Sequence, residues 1–182
     1  DVLRTIEQSA ERIHNLVKAI KSYTYMDQSP VQEIDIHEGI ENTLAILAHK
    51  LQGITVTREY APDLPRLTAH GSQLNQVWTN LLDNAIDALN GRGNILIRTR
   101  FEHDHITVDI IDDGPGIPPE IQSHIFEPFF TTKGVGEGSG MGLDIAYRIV
   151  TQDHQGDFQV YSEPGNTHFQ ICLPTRPPEE RD

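Results

Sequence analysis

The sequence predicts an α+β fold: a two-layer sandwich in which a mixed, mostly antiparallel sheet carries helices on one face, preceded by a long helix. Apolar residues recur at helical spacing from Leu74 to Asn90, which predicts a central amphipathic helix. Two pairs of alternating segments, over 95–111 and 158–173, predict β-hairpins. Hairpins mixed with helices favour a largely antiparallel or mixed sheet with helices on one face.

The composition excludes several classes of protein. The 182 residues carry a formal net charge of −13, which argues against a nucleic-acid surface because such a surface needs a basic stripe. No apolar run approaches the roughly 20 residues that span a bilayer, so we expect no membrane contact within this chain. The single cysteine, Cys172, favours a reducing, cytoplasmic location, and its alternating apolar surroundings predict a buried structural thiol.

The first part of the chain predicts a helix that pairs with another helix. Its apolar residues are spaced alternately by three and four positions, as in a heptad seam. We expect residues 1–26 to be part of a dimerisation helix that pairs with a second copy, and residues 27–33 to be a linker; the alternative is a surface helix packed on its own domain. The chain begins without Met, so we expect a fragment of a longer protein that can itself be membrane-anchored. The seam comprises Leu3, Ile6, Ala10, Ile13, Val17 and Ile20.

The remaining elements form one predicted domain over 34–174, followed by a Pro- and charge-rich tail over 175–182 that we expect to be disordered. Strands are predicted where apolar and polar residues alternate, helices where apolar residues recur every three or four positions, and turns at Gly and Pro. In chain order they are a strand at Ile34 and Ile36, a helix over 38–51, strands over 54–60 and 66–69, the central helix, strands over 95–101 and 106–111, a helix from Leu143, and strands over 158–161 and 169–173.

The central helix carries a polar stripe. Asn80, Asn84 and Asp87 are three and four residues apart and therefore share one side of the helix. Asn84 lies at the border of the apolar face, where an unpaired amide costs roughly 1–3 kcal/mol. Oxygen ligands of this kind suit Mg²⁺. The alternative is an amphipathic helix with an ordinary polar flank.

Two glycine-rich segments could hold an anionic, flat ligand. Gly138, Gly140 and Gly142 precede a helix that begins near Met141, which gives close backbone approach and free N–H groups for phosphate. The segment is not a P-loop, since no Gly-Lys-Ser/Thr follows. Lys133 lies just upstream and can supply a point charge. A flexible loop explains the glycines equally well.

The second segment follows a predicted strand. Asp112 precedes Gly114 and Gly116, so a carboxylate that can accept from an exocyclic amine lies beside backbone that a flat base can approach. The alternative is an ordinary Asp-Gly turn.

The ordered motifs together resemble a known family. Asn80-x-x-x-Asn84, Asp112-x-Gly114-x-Gly116, Phe126-Glu-Pro-Phe-Phe130 and Gly138-x-Gly140-x-Gly142-Leu143 are similar to the ATP-binding catalytic domain of sensor histidine kinases. That domain belongs to the GHKL superfamily, with gyrase-type topoisomerases and a heat-shock chaperone. The resemblance covers roughly 34–174 and implies a Bergerat-type sandwich that binds ATP and Mg²⁺.

The resemblance also implies a role for each matching position. Asn84 would ligate Mg²⁺ with Asn80 beside it, Asp112 would accept from the adenine amino group with help from Thr167 and a water, and Lys133 would contact the γ-phosphate. Residues 118–142 would form a lid anchored or docked by Phe126, Phe129 and Phe130. The full predicted nucleotide-binding set is Asn80, Asn84, Asp87, Asp112, Gly114, Gly116, Ile117, Phe130, Lys133, Gly138, Gly140, Met141, Gly142, Leu143 and Thr167.

Three departures from the family pattern limit the expected activity. The phosphoaccepting histidine of the family is absent, so we expect no catalytic residue here and no autophosphorylation by this chain alone. Asp87 stands where many relatives have a basic residue. Asn80 stands where the ATPase relatives have glutamate, and an amide cannot act as a general base, so fast ATP hydrolysis is not expected.

The expected partners are ATP, a second copy of the chain and a response-regulator receiver domain. The expected reaction is phosphoryl transfer from Mg·ATP to a histidine on a helix outside this chain. The alternatives are a nucleotide-binding pseudokinase or dimerisation module, and an anti-sigma-type serine kinase.

Overall fold

A five-stranded sheet is the framework of the structure, a computed structural model that describes residues 31–134 and 140–175. A π-helical turn over Ile149–Asp153 follows the last α-helix. The elements in chain order are β1 (Val31–Ile34), α1 (Ile36–Ile46), β2 (Ile54–Glu59), β3 (Leu67–His70), α2 (Gly71–Leu89), β4 (Gly93–Glu102), β5 (His105–Asp112), α3 (Pro119–Gln122), α4 (Gly142–Arg148), β6 (Asp157–Glu163) and β7 (Asn166–Pro174).

The strand order in the sheet is β2-β4-β5-β7-β6. β2 pairs with β4 in parallel, and the other three pairings are antiparallel. β1 and β3 form a separate two-stranded antiparallel sheet. The predicted mixed, mostly antiparallel architecture and both predicted hairpins are therefore confirmed.

The helices cover one face of the sheet, as predicted. Alternate residues of β7 are buried, and the intervening ones lie on the open outer face. α2 contributes the largest buried side chain, Trp78, which is 1 % exposed. Burying an aromatic or branched side chain of this size stabilises a fold by roughly 1.5–3 kcal/mol, so α2 anchors the domain. The core residues of α2 are Leu74, Val77, Trp78, Leu81, Leu82, Ala85, Ile86 and Leu89.

The first elements of the domain differ from the prediction. β1 begins at Val31, inside the predicted linker, and Ile36 starts a helix instead of continuing a strand. Asp35 explains the change, because its Oδ1 accepts hydrogen bonds from the N–H groups of His37 and Glu38, at 2.8 and 3.3 Å. A side-chain N-cap of this kind begins a helix.

The bounds of other elements also differ from the prediction. α1 ends at Ile46, five residues before the predicted end of the helix at 51, and α2 begins at Gly71. The short helix α3 was not predicted at all. The predicted dimerisation helix lies wholly outside the described residues, as do residues 27–30 of the linker and all but Thr175 of the tail.

The prediction of a buried thiol was wrong. Cys172 is free and half-exposed, because its position in β7 points to the outer face between two buried neighbours. Its sulfur is 3.9 Å from Thr107 Oγ1, which donates to it. Among residues 31–134 and 140–175, no helix is both long and apolar enough to cross a lipid bilayer.

Candidate nucleotide-binding site

Asp112 is the buried carboxylate of the site. It ends β5, is 2 % exposed, and lies directly opposite Thr167 of β7 in the sheet register. Its Oδ1 accepts a hydrogen bond of 3.0 Å from the N–H of Gly114. Burial raises the pKa of Asp112 to about 6; the nearby Asp113 raises it further, and the Gly114 hydrogen bond opposes the shift.

Two hydroxyl groups complete this end of the site. Thr167 is 5 % exposed, and its Oγ1 is 3.0 Å from Ser162 Oγ across the β6–β7 hairpin. Ser162 Oγ also accepts a 2.8 Å hydrogen bond from the N–H of Ile117. Sequence reasoning missed Ser162, although its pairing with Thr167 follows from the hairpin turn at Gly165.

The backbone after β5 is held close to the last hairpin. Gly116 has φ +82°, and a Cβ there would lie 2.6 Å from the carbonyl oxygen of Glu163. A Cβ on Gly114 would lie 2.7 Å from Asp112 Oδ1, so any side chain would displace the carboxylate. Gly165 donates its N–H to the Gly114 carbonyl at 2.9 Å. Glycine is therefore required here by contact and by backbone conformation.

A glutamine that the sequence did not single out fixes the start of the next segment. Gln122 Nε2 donates to the carbonyl oxygens of Ile117 and Ser162, at 2.7 and 2.9 Å. It therefore ties α3 both to the glycine turn and to β6. No motif spacing indicates this role, because its partners are defined only by the folded hairpin.

The two asparagines of α2 are in different environments. Asn80 Nδ2 donates to the Gly142 carbonyl at 2.8 Å, and its Oδ1 accepts from Gln76 Nε2 at 3.0 Å. Asn84 is half-buried, and its side chain has no hydrogen-bond partner among residues 31–134 and 140–175. Asn80 thus holds the start of α4 on the central helix, whereas the amide of Asn84 is available to a ligand.

Asp87 and Lys133 are brought together. Lys133 Nζ donates a hydrogen bond to Asp87 Oδ2. The side chain of Lys133 is 32 % exposed, and that of Asp87 is 36 % exposed. The basic residue proposed for phosphate binding therefore lies beside the acid one helical turn after Asn84.

The glycine segment before α4 is only partly described, since Gly138 lies outside the described residues. Gly140 has φ +66°, and a Cβ there would lie 2.5 Å from the carbonyl carbon of Phe129. Gly142 has no such restriction, because its nearest neighbour, Asn80, would be 3.6 Å from a Cβ. Met141 and Leu143 pack partly against the core.

The three phenylalanines of the predicted lid are placed differently. Phe126 packs between Tyr147 and Phe158, with ring centroids 4.9 and 5.2 Å away. Phe130 packs partly against the core, and Phe129 is 65 % exposed. Phe126 and Phe130 therefore attach this segment to the domain, whereas Phe129 faces solvent.

The donor set fits a magnesium ion. Asn84 offers an amide oxygen that no group of the described residues uses, and Asp87 offers carboxylate oxygen on the same side of α2. Mg²⁺ is bound in proteins by such hard oxygen ligands, usually together with substrate phosphates. A buried carboxylate, tight glycine turns and an amide without a partner among the described residues fit a nucleotide-binding α+β domain.

Comparison with known proteins identifies the family. A family model described as Histidine kinase-, DNA gyrase B-, and HSP90-like ATPase matches residues 69–177. The chain belongs to this family, as an ATPase catalytic domain of the sensor histidine kinase type. The family resemblance predicted from the sequence is confirmed.

Individual relatives agree with this membership. The sensory histidine kinase/phosphatase NtrB of Rhodobacter capsulatus is 33 % identical over 192 residues, which cover 96 % of this chain and 52 % of that protein. The histidine-protein kinase AtoS of Escherichia coli K12 is 31 % identical over 97 % of this chain and 29 % of its own length. The chain therefore spans about half the length of NtrB.

Solved structures share the fold. The nucleotide-free catalytic domain of the histidine kinase ThkA has a TM-score of 0.76 and 30 % identity, covering 84 % of this chain and 99 % of that one. ThkA in complex with the response regulator protein TrrA has a TM-score of 0.77 and 26 % identity, covering 99 % of this chain and 52 % of that one.

The raised pKa of Asp112 predicts a pH dependence of ATP binding. An ionised carboxylate accepts from the adenine amine better than a protonated one, so affinity should fall as the pH drops through about 6. Calorimetric titrations with Mg·ATP between pH 5 and 8 test this. ATP itself changes protonation in the same pH range. The control is therefore the Asp112→Asn variant, in which ATP still titrates but the side chain of residue 112 does not. Equal pH profiles for the two proteins would contradict the prediction.

Proposed function

We propose that this domain binds Mg·ATP and transfers the γ-phosphoryl group to a histidine on a dimerisation helix outside this chain. The observation that carries the proposal is the buried Asp112 carboxylate beside Gly114 and Gly116. A carboxylate that is 2 % exposed loses hydration, so it needs a specific donor. An exocyclic amine of adenine is such a donor. Because neither glycine has a side chain, the turn packs closely against Asp112 and the β6–β7 hairpin, which keeps the carboxylate in place.

At the base end, the chain's own groups orient the nucleotide. Asp112 accepts from the amine, and Thr167 with Ser162 provides hydroxyl groups that can bind the base directly or through water. Ile117 and Gly116 offer the surface on which the ring packs. The β6–β7 hairpin and Gln122 fix this surface in place, which reduces the ordering cost of binding.

At the phosphate end, we propose that Asn84 ligates Mg²⁺. Asn80 would be a second ligand if its amide oxygen gave up the hydrogen bond that it accepts from Gln76 and bound the metal instead. The metal supplies charge neutralisation across the phosphates, and catalysis is mostly positioning. Lys133 supplies a further positive charge, and Gly138, Gly140 and Gly142 bring backbone N–H groups to the phosphates. Asn80 stands where the ATPase relatives have a carboxylate, and an amide cannot serve as the general base that activates water, so we expect transfer rather than fast hydrolysis.

We also propose the partners of the longer protein. The complex of ThkA with TrrA supports a response-regulator receiver domain as the acceptor of the phosphoryl group. The heptad seam of residues 1–26 supports a homodimer in which the helices of two copies pair. Both proposals concern the whole protein, because this chain spans only about half the length of its NtrB relatives.

The proposed transfer reaction is tested with the full-length protein that contains this chain. Incubation with ATP labelled in the γ-phosphate should give protein-bound label that acid releases and alkali does not, as expected for a phosphoramidate on histidine. Label that is stable to acid would instead indicate a serine kinase. A bound nucleotide with no label would indicate a pseudokinase or dimerisation module.

Base selectivity gives a separate prediction. The buried carboxylate of Asp112 attracts the amino group of adenine and repels the carbonyl oxygen of guanine at the same ring position, so ATP should bind at least tenfold more tightly than GTP. Calorimetry with both nucleotides in the presence of Mg²⁺ measures the ratio. Asp112→Asn should reduce the ratio toward one. Equal affinities in the unaltered domain would contradict the role of Asp112.

A further inference from the structure

An ion pair closes the metal end of the site. Lys133 Nζ donates a hydrogen bond to Asp87 Oδ2, and the two residues are 46 positions apart in the chain. Asp87 lies on α2, one turn after Asn84, and Lys133 lies between α3 and α4. The pair therefore ties the segment after α3 to the helix that offers the metal ligand.

Each partner of this pair has a second use when nucleotide binds. Lys133 is the cation closest in sequence to the glycine segment, and phosphate oxygens would compete with Asp87 for it. Side chains three positions apart on a helix have Cβ atoms about 5–6 Å apart. The Asp87 carboxylate can therefore reach a magnesium ion on Asn84, or the water molecules that this ion keeps.

We propose that Asp87 and Lys133 form an exchange latch that makes the site selective for Mg·ATP over metal-free ATP. In the nucleotide-free protein the two side chains neutralise each other. When Mg·ATP binds, Lys133 moves to the phosphates and Asp87 turns to the magnesium ion or its waters, so both charges keep a partner. Metal-free ATP takes Lys133 and leaves Asp87 without its hydrogen-bonded cation beside a triphosphate. Only the longer-range attraction of Lys50 remains, so ATP binding is weakened. This inference rests on the proposed binding of Mg·ATP.

The chain offers a matched control on the same helix. Lys50 Nζ and Asp83 Oδ1 form a second ion pair of 2.6 Å, with side-chain exposures of 40 % and 36 %. Asp83 lies one turn before Asp87 and four residues from it. Asp83→Asn removes the same charge from the same helix without touching Lys133, and the Lys50 that it releases lies within electrostatic range of Asp87. It therefore measures the loss of one α2 charge while the hydrogen bond between Lys133 and Asp87 stays intact.

The test compares ATP affinity by calorimetry with Mg²⁺ and with a chelator in its place. Asp87→Asn should tighten metal-free ATP binding about two- to fivefold, the range expected for an exposed ion pair. Magnesium should then improve affinity less than in the unaltered domain, whereas Asp83→Asn should leave the effect of magnesium unchanged. In a Lys133→Met background, Asp87→Asn should tighten metal-free ATP binding less than it does with Lys133 present, because only the direct repulsion between Asp87 and ATP is then removed.

A second readout uses no nucleotide. Modification of Lys133 by an amine-acylating reagent, followed by mass spectrometry, should be faster in Asp87→Asn than in Asp83→Asn or the unaltered domain. If Asp87→Asn and Asp83→Asn behave alike, or if the effect of Asp87→Asn is undiminished without Lys133, the latch is wrong while nucleotide binding stands. If the unaltered domain binds no Mg·ATP, the proposed function and the latch both fail.

Discussion

Asn84→Ala should abolish magnesium-dependent ATP binding. The Asn84 amide is half-buried on α2 and has no protein hydrogen-bond partner among the described residues, so its oxygen is the ligand that the metal site offers without breaking another contact. Loss of even an outer partner of a metal ligand lowers metal affinity about 10–100-fold. Removing the ligand itself should cost at least as much. Calorimetry with ATP in the presence and absence of Mg²⁺ measures the loss.

Two controls separate this effect from unfolding. Asn75→Ala changes an exposed asparagine on the same helix and should leave the magnesium dependence unchanged. Thermal unfolding of Asn84→Ala should stay close to that of the unaltered domain, because the Asn84 side chain makes no hydrogen bond within the part of the chain that the structure describes. An unchanged ATP affinity in a folded Asn84→Ala protein would remove Asn84 from the metal site.

Gly116→Ala should damage both the fold and the base-binding end of the site. The residue has φ +82°, and a Cβ would lie 2.6 Å from the carbonyl oxygen of Glu163 and 2.9 Å from the nitrogen of Pro164. These are backbone atoms of the β6–β7 turn, so neither can move away as a flexible side chain would. A strained backbone conformation alone costs roughly 1–3 kcal/mol. With the steric clash, we expect unfolding free energy to fall by more than about 3 kcal/mol and ATP affinity to fall at least tenfold.

Gly165→Ala is the matched control for this prediction. Gly165 has φ +85°, but a Cβ there would meet nothing within 4 Å. It should therefore show the backbone strain alone, about 1 kcal/mol at the low end of the range, and nearly normal ATP affinity. Chemical denaturation and calorimetry of the two variants measure both quantities. If Gly116→Ala lowered the unfolding free energy and the ATP affinity no more than Gly165→Ala does, the close contact between Gly116 and the β6–β7 turn would not be needed for the site.

Much of the fold could be predicted from the sequence because its signals are local. Period-two alternation defines the hairpins around Gly165 and over 95–111, and the apolar arc of α2 contains the residues that form its buried face. The misplaced elements are those controlled by a single contact. Asp35 caps α1 and stops a strand that alternation alone would extend through Ile36, and Cys172 is turned outward by its register in β7.

The site could be predicted only in part. The order of Asn80, Asn84, Asp112 and the glycines was sufficient to identify the family, which the comparisons confirm. The roles of Ser162, Gln122 and Gln76 could not be found this way, because they depend on hydrogen bonds across strands, across a loop and within a helix that no motif encodes. The assignment of individual residues to metal, base and phosphate stays a prediction that the variants above test.

The sequence by itself determined the architecture and which polar side chains share one side of the central helix, because side-chain periodicity fixes which face of a helix or strand each residue occupies. Only the tertiary structure decided which of those side chains are already paired. Asn80 is engaged by Gly142, 62 positions away, and Lys133 by Asp87, 46 positions away, whereas Asn84 has no partner among the described residues. Hydrogen-bond partners at such separations are set by the packing of α2 against the segments that follow β5, and residue spacing carries no record of that packing.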